Sequence, residues 1–445
     1  MSADTDVDPF HFPRLVHIPH RRGRKAVSLP DPTQFALVTR ALFGVGCRTP
    51  TEVYSSGLYN ELFRLELDPA SSTSQRVPRT VLARVARDTK TRSDNSLESE
   101  LATMVFVRHH CPAVPVPRVY GYCPTRENAV GLPFAIVEFV DGIDMHGVPW
   151  EDLPLELKLV GVRDYARIVA QLAGLSFKSI GSIYFKWAPP TSPPSSAAAS
   201  SRHTAPAHDL PAPIGFTLGA ASWPKHDALL RARAYTRDVG PWKSAAGWLK
   251  ASLGEEIQFV ENVLSGSGNA SGKRRCSREA DVARRVLPAM RACVPEARDD
   301  PGDQCALGPF VLGHMDLSPW NMIYAPKGPS AGHILAVLDW ETSLSVPLWR
   351  IACYPLWFDV LSSAPQARRD PAEARAFRDA YVRELHRLSG VGVGGNGNGM
   401  LLRVVQNAQY EARRRFAEIA ALGWEDAEVM ECWLERHRGL RAPAG

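Results

Sequence analysis

The run His314-Met315-Asp316-Leu317-Ser318-Pro319-Trp320-Asn321, followed about twenty residues later by Leu338-Asp339-Trp340-Glu341, decides how this sequence is read. The spacing His-x-Asp-x4-Asn, then a hydrophobic strand ending in Asp, has a mechanical meaning. Moving a phosphoryl group needs one carboxylate to orient the attacking hydroxyl and take its proton. It also needs hard oxygen ligands for the magnesium ion that bridges the nucleotide phosphates. Asp316 suits the first task, and Asn321 with Asp339 the second. His314 reads as a scaffold residue that fixes the loop by hydrogen bonds. Taken singly, each of these is an ordinary loop or cap residue. Their joint spacing carries the reading.

Working outward, the N-terminal half alternates in the manner of strands. ELFRLEL at 61–67 and TVLARVA at 80–86 are half-buried strands, and FAIVEFV at 134–140 is a buried one. Residues 96–109 place apolar groups at 97, 101, 104, 105 and 107, which predicts a helix, and 151–177 predicts a long one. After Pro213 the pattern is mainly helical, with a β-rich interruption around 311–339. Asp370-Pro371-Ala372-Glu373 combines an N-cap, a first-turn Pro and a Glu placed for a capping box. A further helix is expected through Val405, Ala408, Ala412, Phe416 and Ile419. Residues 189–213, 264–275 and 390–399 are Pro/Ser/Ala- or Gly/Asn-rich and read as disordered insertions, and 1–34 as a flexible arm.

The 445 residues are 45% hydrophobic and 22% charged, so a large core needs neither disulfides nor structural metal. A net charge of +5, spread along the chain, lacks the concentrated basic stripe of a nucleic-acid binder. The longest apolar stretch, 132–140, is far short of the roughly 20 residues that span a membrane, so no membrane partner is expected. Eight cysteines without a CxxC pair, behind an Asp-rich first decade, read as reduced thiols in a cytoplasmic protein. His109-His110-Cys111 lacks further ligands at metal spacing and reads as a helix end. Trp223, Trp242, Trp357, Trp424 and Trp433 read as packing, and the acids at 425–435 as a solvated helix face.

HMDLSPWN and LDWE resemble the catalytic loop and metal strand of the aminoglycoside phosphotransferase family, and are most similar to its divergent fungal members. Residues 99–104, 115–120 and 180–184 also look like family segments. The resemblance implies an α+β, two-lobed protein-kinase-like fold. A β-rich N-terminal nucleotide-binding lobe would cover 35–140, and a mainly helical C-terminal lobe 141–445. It also implies a nucleotide site. Arg84 would grip the phosphates in place of the usual lysine, with Glu100 as its helix partner and Arg87 as runner-up. Ser55, Ser56 and Gly57 would cover the phosphates. The backbone near Glu138 and Val140 would meet the purine, and Glu341 would support the metal strand. Met315 stands where the family has Gly. Nothing after Asp339 looks like a protein-kinase activation segment, which favours a small-molecule acceptor.

The reading is therefore a phosphotransferase that uses ATP or GTP with magnesium and acts on a hydroxyl of an unidentified small molecule. The alternative is a catalytically weak nucleotide- or metabolite-binding protein on the same fold. Oligomeric state is left open.

Overall fold

The computed structural model describes residues 12–16, 18, 29–57, 60–68, 77–87, 96–144, 150–187, 213–221, 238–261, 273–294, 310–361, 367–390 and 397–437. The chain forms two compact units. One is Met1–Pro149, Ile183–Thr217 and Trp320–Glu341, and the other Trp150–Ser182, Leu218–Pro319 and Thr342–Gly445. Their boundaries thus run differently from the expected 35–140 and 141–445.

The first unit is built on a six-stranded sheet. Its strands are β1 (Arg14–Leu15), β2 (Ser55–Ser56), β3 (Asn60–Glu66), β4 (Thr80–Ala86), β5 (Val119–Cys123) and β6 (Phe134–Glu138). They lie in the order β1-β5-β6-β4-β3-β2. All neighbours are antiparallel except β1 and β5. The alternation of β4 is realised: Val81, Ala83 and Val85 are buried in one cluster with Phe35, Phe63, Leu65, Phe134 and Ile136. Phe35 comes from helix α1 (Phe35–Phe43), which stops at Gly44 in a left-handed conformation (φ 77°) that suits glycine. Leu82 and Arg84 therefore point to the opposite face, where helix α2 (Ser96–His110) packs through Glu100. The expected flexible arm is partly structured, because Arg14 and Leu15 join the sheet and Asp31 caps a turn at Pro32–Gln34.

The strand pair β7 (Ser182–Trp187) and β8 (Pro213–Gly219) belongs mostly to this unit, as do the antiparallel strands β10 (Met322–Tyr324) and β11 (Ile334–Val337). β8 is a departure from expectation, since a helical pattern was read from Pro213 onward.

The second unit is mainly helical. Its elements include α3 (Leu155–Ala173), α4 (Ala245–Phe259), α5 (Lys273–Ala292), α6 (Pro371–Gly390), α7 (Gly397–Val405), α8 (Ala408–Ala420) and α9 (Ala427–Arg436). Strands β9 (Phe310–Gly313) and β12 (Leu344–Pro347) pair antiparallel within it. α3 and α6 pack around buried Tyr165, Trp357, Phe358, Phe377 and Tyr381. Asp370 caps α6, accepting from the N–H groups of Ala372 (2.8 Å) and Glu373 (3.1 Å). The expected capping box is not closed. Glu373 instead pairs with Lys158 (2.8 Å) and Arg369 (3.2 Å), because two buried cations outcompete one backbone N–H.

Three low-complexity expectations are corrected at their edges, the first because Pro213 opens β8. Residues 273–275 open α5, and 397–399 open α7. The single helix expected through Val405–Ile419 is two, broken after Val405, with Ala408 and Ala412 exposed. Trp223 lies outside the described residues. Among the described residues no helix is long and apolar enough to cross a membrane.

Candidate active site

The sheet unit holds every expected site residue except His314 and Asp316, and three of its acids meet one guanidinium. Arg84 projects from β4, and its Nη1 pairs with the Glu100 carboxylate of α2. Its Nη2 lies 3.3 Å from Asp339 Oδ1 and 3.5 Å from Glu341 Oε2. The Glu100 and Glu341 side chains are 0% and 3% exposed, and Arg84 14%. A lysine ammonium would be a single point charge here, whereas the planar guanidinium presents separate N–H groups to separate carboxylates. The sequence reading gave Glu341 only a supporting role, and its contact with Arg84 was missed. The available signal was Glu341 itself, a second acid two residues beyond Asp339.

Asp339 is placed by its neighbours. The N–H of Leu338 donates to Asn321 O at 2.8 Å, which sets Asn321 beside the end of β11. Val337 N–H donates to Pro115 O (2.8 Å), and the Trp340 indole N–H donates to Val337 O (2.9 Å). Among the described residues Asp339 is the only non-glycine with a positive φ, at 63°. Such backbone is uncommon and clusters at functional sites.

The donor set of Asn321 and Asp339 is hard oxygen, which suits magnesium. Among the described residues no group of three or more His, Cys, Asp or Glu is placed to hold a metal.

The loop residues Ser55, Ser56 and Gly57 sit on and after β2, and Leu58 and Tyr59 lie outside the described residues. Arg87 does not join the carboxylate cluster. It donates to Gly57 O at 3.0 Å and pairs with Glu61 at 3.6 Å, which tethers the loop. At the end of β6 the Glu138 N–H donates to Arg118 O (2.8 Å), and its carboxylate accepts from the Arg118 N–H (2.9 Å). The N–H of Glu138 is thus committed to the sheet. Beside it Phe139 meets Tyr54 edge-on (5.8 Å) and lies under Arg64 (4.8 Å).

Asp316 belongs to the helical unit. It is exposed, in a tight turn after β9 closed by Ser318 N–H to Asp316 O at 3.0 Å. His314 beside it is buried. Met315 packs against the cluster of Ile180, Phe310, Leu344 and Val346. A Cβ at Gly313 would meet Met315 Sδ at 3.1 Å and Val346 Cγ2 at 2.9 Å, so the glycine makes room for the methionine.

A family model described as the phosphotransferase enzyme family matches residues 52–391. The chain is 25% identical over 331 residues to a subtelomeric hrmA-associated cluster protein of Aspergillus fumigatus, covering 66% of this chain and 59% of that protein. It is 24% identical over 372 residues to altered inheritance of mitochondria protein 9, mitochondrial, of Zygosaccharomyces rouxii, covering 75% and 52%. The chain therefore spans between half and three-fifths of the length of these curated relatives. Among solved structures it is similar to a gentamicin complex of APH(2")-IIa, with 11% identity, TM-score 0.44 and coverage of 92% and 93%. It is also similar to spectinomycin phosphotransferase APH(9)-Ia in complex with ADP and spectinomycin, with 10% identity, TM-score 0.39 and coverage of 90% and 98%.

Proposed function

The chain belongs to the phosphotransferase enzyme family, and we propose that it moves the γ-phosphoryl group of ATP or GTP to a hydroxyl of a small molecule. The observation that carries this reading is the Arg84 cluster: one guanidinium, ion-paired to buried Glu100 and in reach of Asp339, whose backbone is left-handed. In this reading Arg84 grips the phosphates and Glu100 holds Arg84. Asp316 orients the acceptor hydroxyl and takes its proton as the new O–P bond forms and the bond to the departing nucleoside diphosphate breaks. Asn321 and Asp339 would hold magnesium, which supplies charge neutralisation across the phosphates. The remaining chemistry is positioning and fixed electrostatics.

β12 begins five residues after Asp339 and pairs with β9. That short connection supports a small-molecule acceptor over a peptide. The packing of Met315 into an apolar cluster removes one motive for reading the chain as inactive.

The test is calorimetric titration of ATP and GTP, with and without magnesium, into wild type and Asp339→Ala, followed by an acceptor screen for nucleotide consumption. Magnesium-dependent binding lost in Asp339→Ala, and turnover lost with binding kept in Asp316→Asn, are the expected results. Wild type that binds neither nucleotide would refute the proposal.

A further inference from the structure

α2 is buried on more than one side. Ser99 and Thr103 are buried, and so are Leu101 and Val105, which lie about 200° further round a helix of 3.6 residues per turn. A helix buried all round needs a cover on each face. One face meets the sheet through Glu100 and Arg84. On another side α2 meets the β7–β8 pair, contributed by a chain segment remote in sequence.

Trp187, at the end of β7, donates its indole N–H to Glu98 Oε1 at 3.0 Å, across 89 residues of sequence. Phe216 of β8 meets Phe106 edge-on, with centroids 5.2 Å apart at 87°. Phe12 lies 5.8 Å from Phe185 and 5.4 Å from Phe216, and Phe185 rests 6.0 Å from Tyr122 of β5. At about 100° per residue, Glu98 and Phe106 lie about 160° and 120° round the helix from Glu100. The contacts to β7 and β8 therefore bear on the side away from Arg84.

We propose that β7–β8 is a brace that sets the position of α2, and that Trp187, acting through Glu98, is a positioning residue for the Arg84–Glu100 pair. The proposal rests on the nucleotide-site reading given above. Ring contacts alone resist translation of a helix but allow it to turn about its axis. A directional hydrogen bond two residues from Glu100 resists that turn. With side chains about 5–6 Å from the axis, a turn of about 20° displaces a carboxylate by about 2 Å, enough to break an ion pair.

The test measures dissociation constants for magnesium-ATP and magnesium-GTP by calorimetry, and amide exchange over residues 96–110. The variants are Trp187→Phe, Glu98→Ala, Glu98→Gln, Glu100→Gln and the double variant Trp187→Phe/Glu100→Gln. Loss of one net hydrogen bond should weaken nucleotide binding about three- to tenfold in Trp187→Phe and Glu98→Ala, with faster exchange in α2. Glu98→Gln keeps an acceptor and should restore affinity to within about twofold. Trp187→Phe should cause no further loss once Glu100 is Gln. Wild-type affinity in Trp187→Phe, or an equal loss with and without the Glu100 carboxylate, overturns the proposal. If wild type binds neither nucleotide, the nucleotide reading fails on its own. Exchange over 96–110 then still decides the brace, and unchanged exchange in Trp187→Phe overturns it.

Discussion

Replacing Arg84 by methionine removes the cation shared by three carboxylates while keeping an unbranched chain of similar length. Glu100 is 0% exposed, Glu341 3% and Asp339 36%, so two of the three are left in the interior with that charge gone. Removing one partner of a buried ion pair typically costs about 3–5 kcal/mol, because the other charge stays buried. For a unit of this size that corresponds to a fall in melting temperature of roughly 6–20 °C. Arg84→Lys should fall between. One ammonium can keep Glu100 but not reach the other two carboxylates, whose contacts are long at 3.3 and 3.5 Å, so about 1–2 kcal/mol is expected. Arg87→Met is the control. That side chain is 41% exposed and holds Gly57 O and Glu61, an arrangement worth about 0–1 kcal/mol. Scanning calorimetry with a nucleotide titration on each variant gives both quantities. Equal melting of Arg84→Met and Arg87→Met would refute the claim that Arg84 neutralises the buried carboxylates.

Met315→Gly, which installs the residue usual in the family, should lower the melting temperature by stripping the cluster around Phe310 and Val346, at a cost of about 1–3 kcal/mol. It should bring no gain in transfer rate, and a faster enzyme of equal stability would contradict the packing assigned to this side chain. Glu384 gives a pH signature. Burial pushes its carboxyl up, but the hydrogen bonds and charges of Arg387 and Arg167 outweigh burial and hold it below its ordinary 4.5. A carboxylate with a lowered folded-state value stabilises above its unfolded value and loses that contribution as pH falls through the folded one. Glu384→Gln should therefore melt below wild type at pH 7, and the gap should close below about pH 4.5. A gap independent of pH, measured by melting from pH 7 to 3, would show that charge is not what Glu384 contributes.

Much of the sheet unit is legible because its signals are local. The period of two in β4 puts Val81, Ala83 and Val85 on one face and Arg84 on the other. The helix expected over 96–109 is α2, with Leu97, Leu101, Met104, Val105 and Val107 buried. What the sequence hides is non-local. Glu373 has the spacing of a capping-box residue, and only the fold brings Lys158, 215 residues away, within 2.8 Å of it. Trp187 and Glu98 form a pair that no periodicity announces, because a long Pro/Ser-rich insertion follows β7 and masks the strand pairing. The helix expected through 405–419 fails for another reason. Apolar spacing continues across the break, but Ala408 and Ala412 are too small to demand burial, and the buried face is set by Phe416, Ala417 and Ala420.

The strain at Asp339 links the chemistry to the fold. A left-handed backbone on a side chain with a Cβ costs of order 1–3 kcal/mol and persists only where the surroundings over-determine it. Here each neighbour is tied: Val337 to Pro115, Leu338 to Asn321, and Trp340, wholly buried, to Val337. None of those bonds uses the Asp339 carboxylate, which remains 36% exposed while the acids beside it are buried. A residue that only ended a strand would need neither the strain nor the ties, since Asn or Gly adopts this conformation at lower cost. Arg84 and the carboxylates of Glu100, Asp339 and Glu341 carry formal charges of +1 and three times −1, so the excess among these four is two negative charges. That excess faces solvent only at Asp339. Under the proposed function, a divalent cation carried on a nucleotide would match that charge, and Asp339 would be the group that receives it.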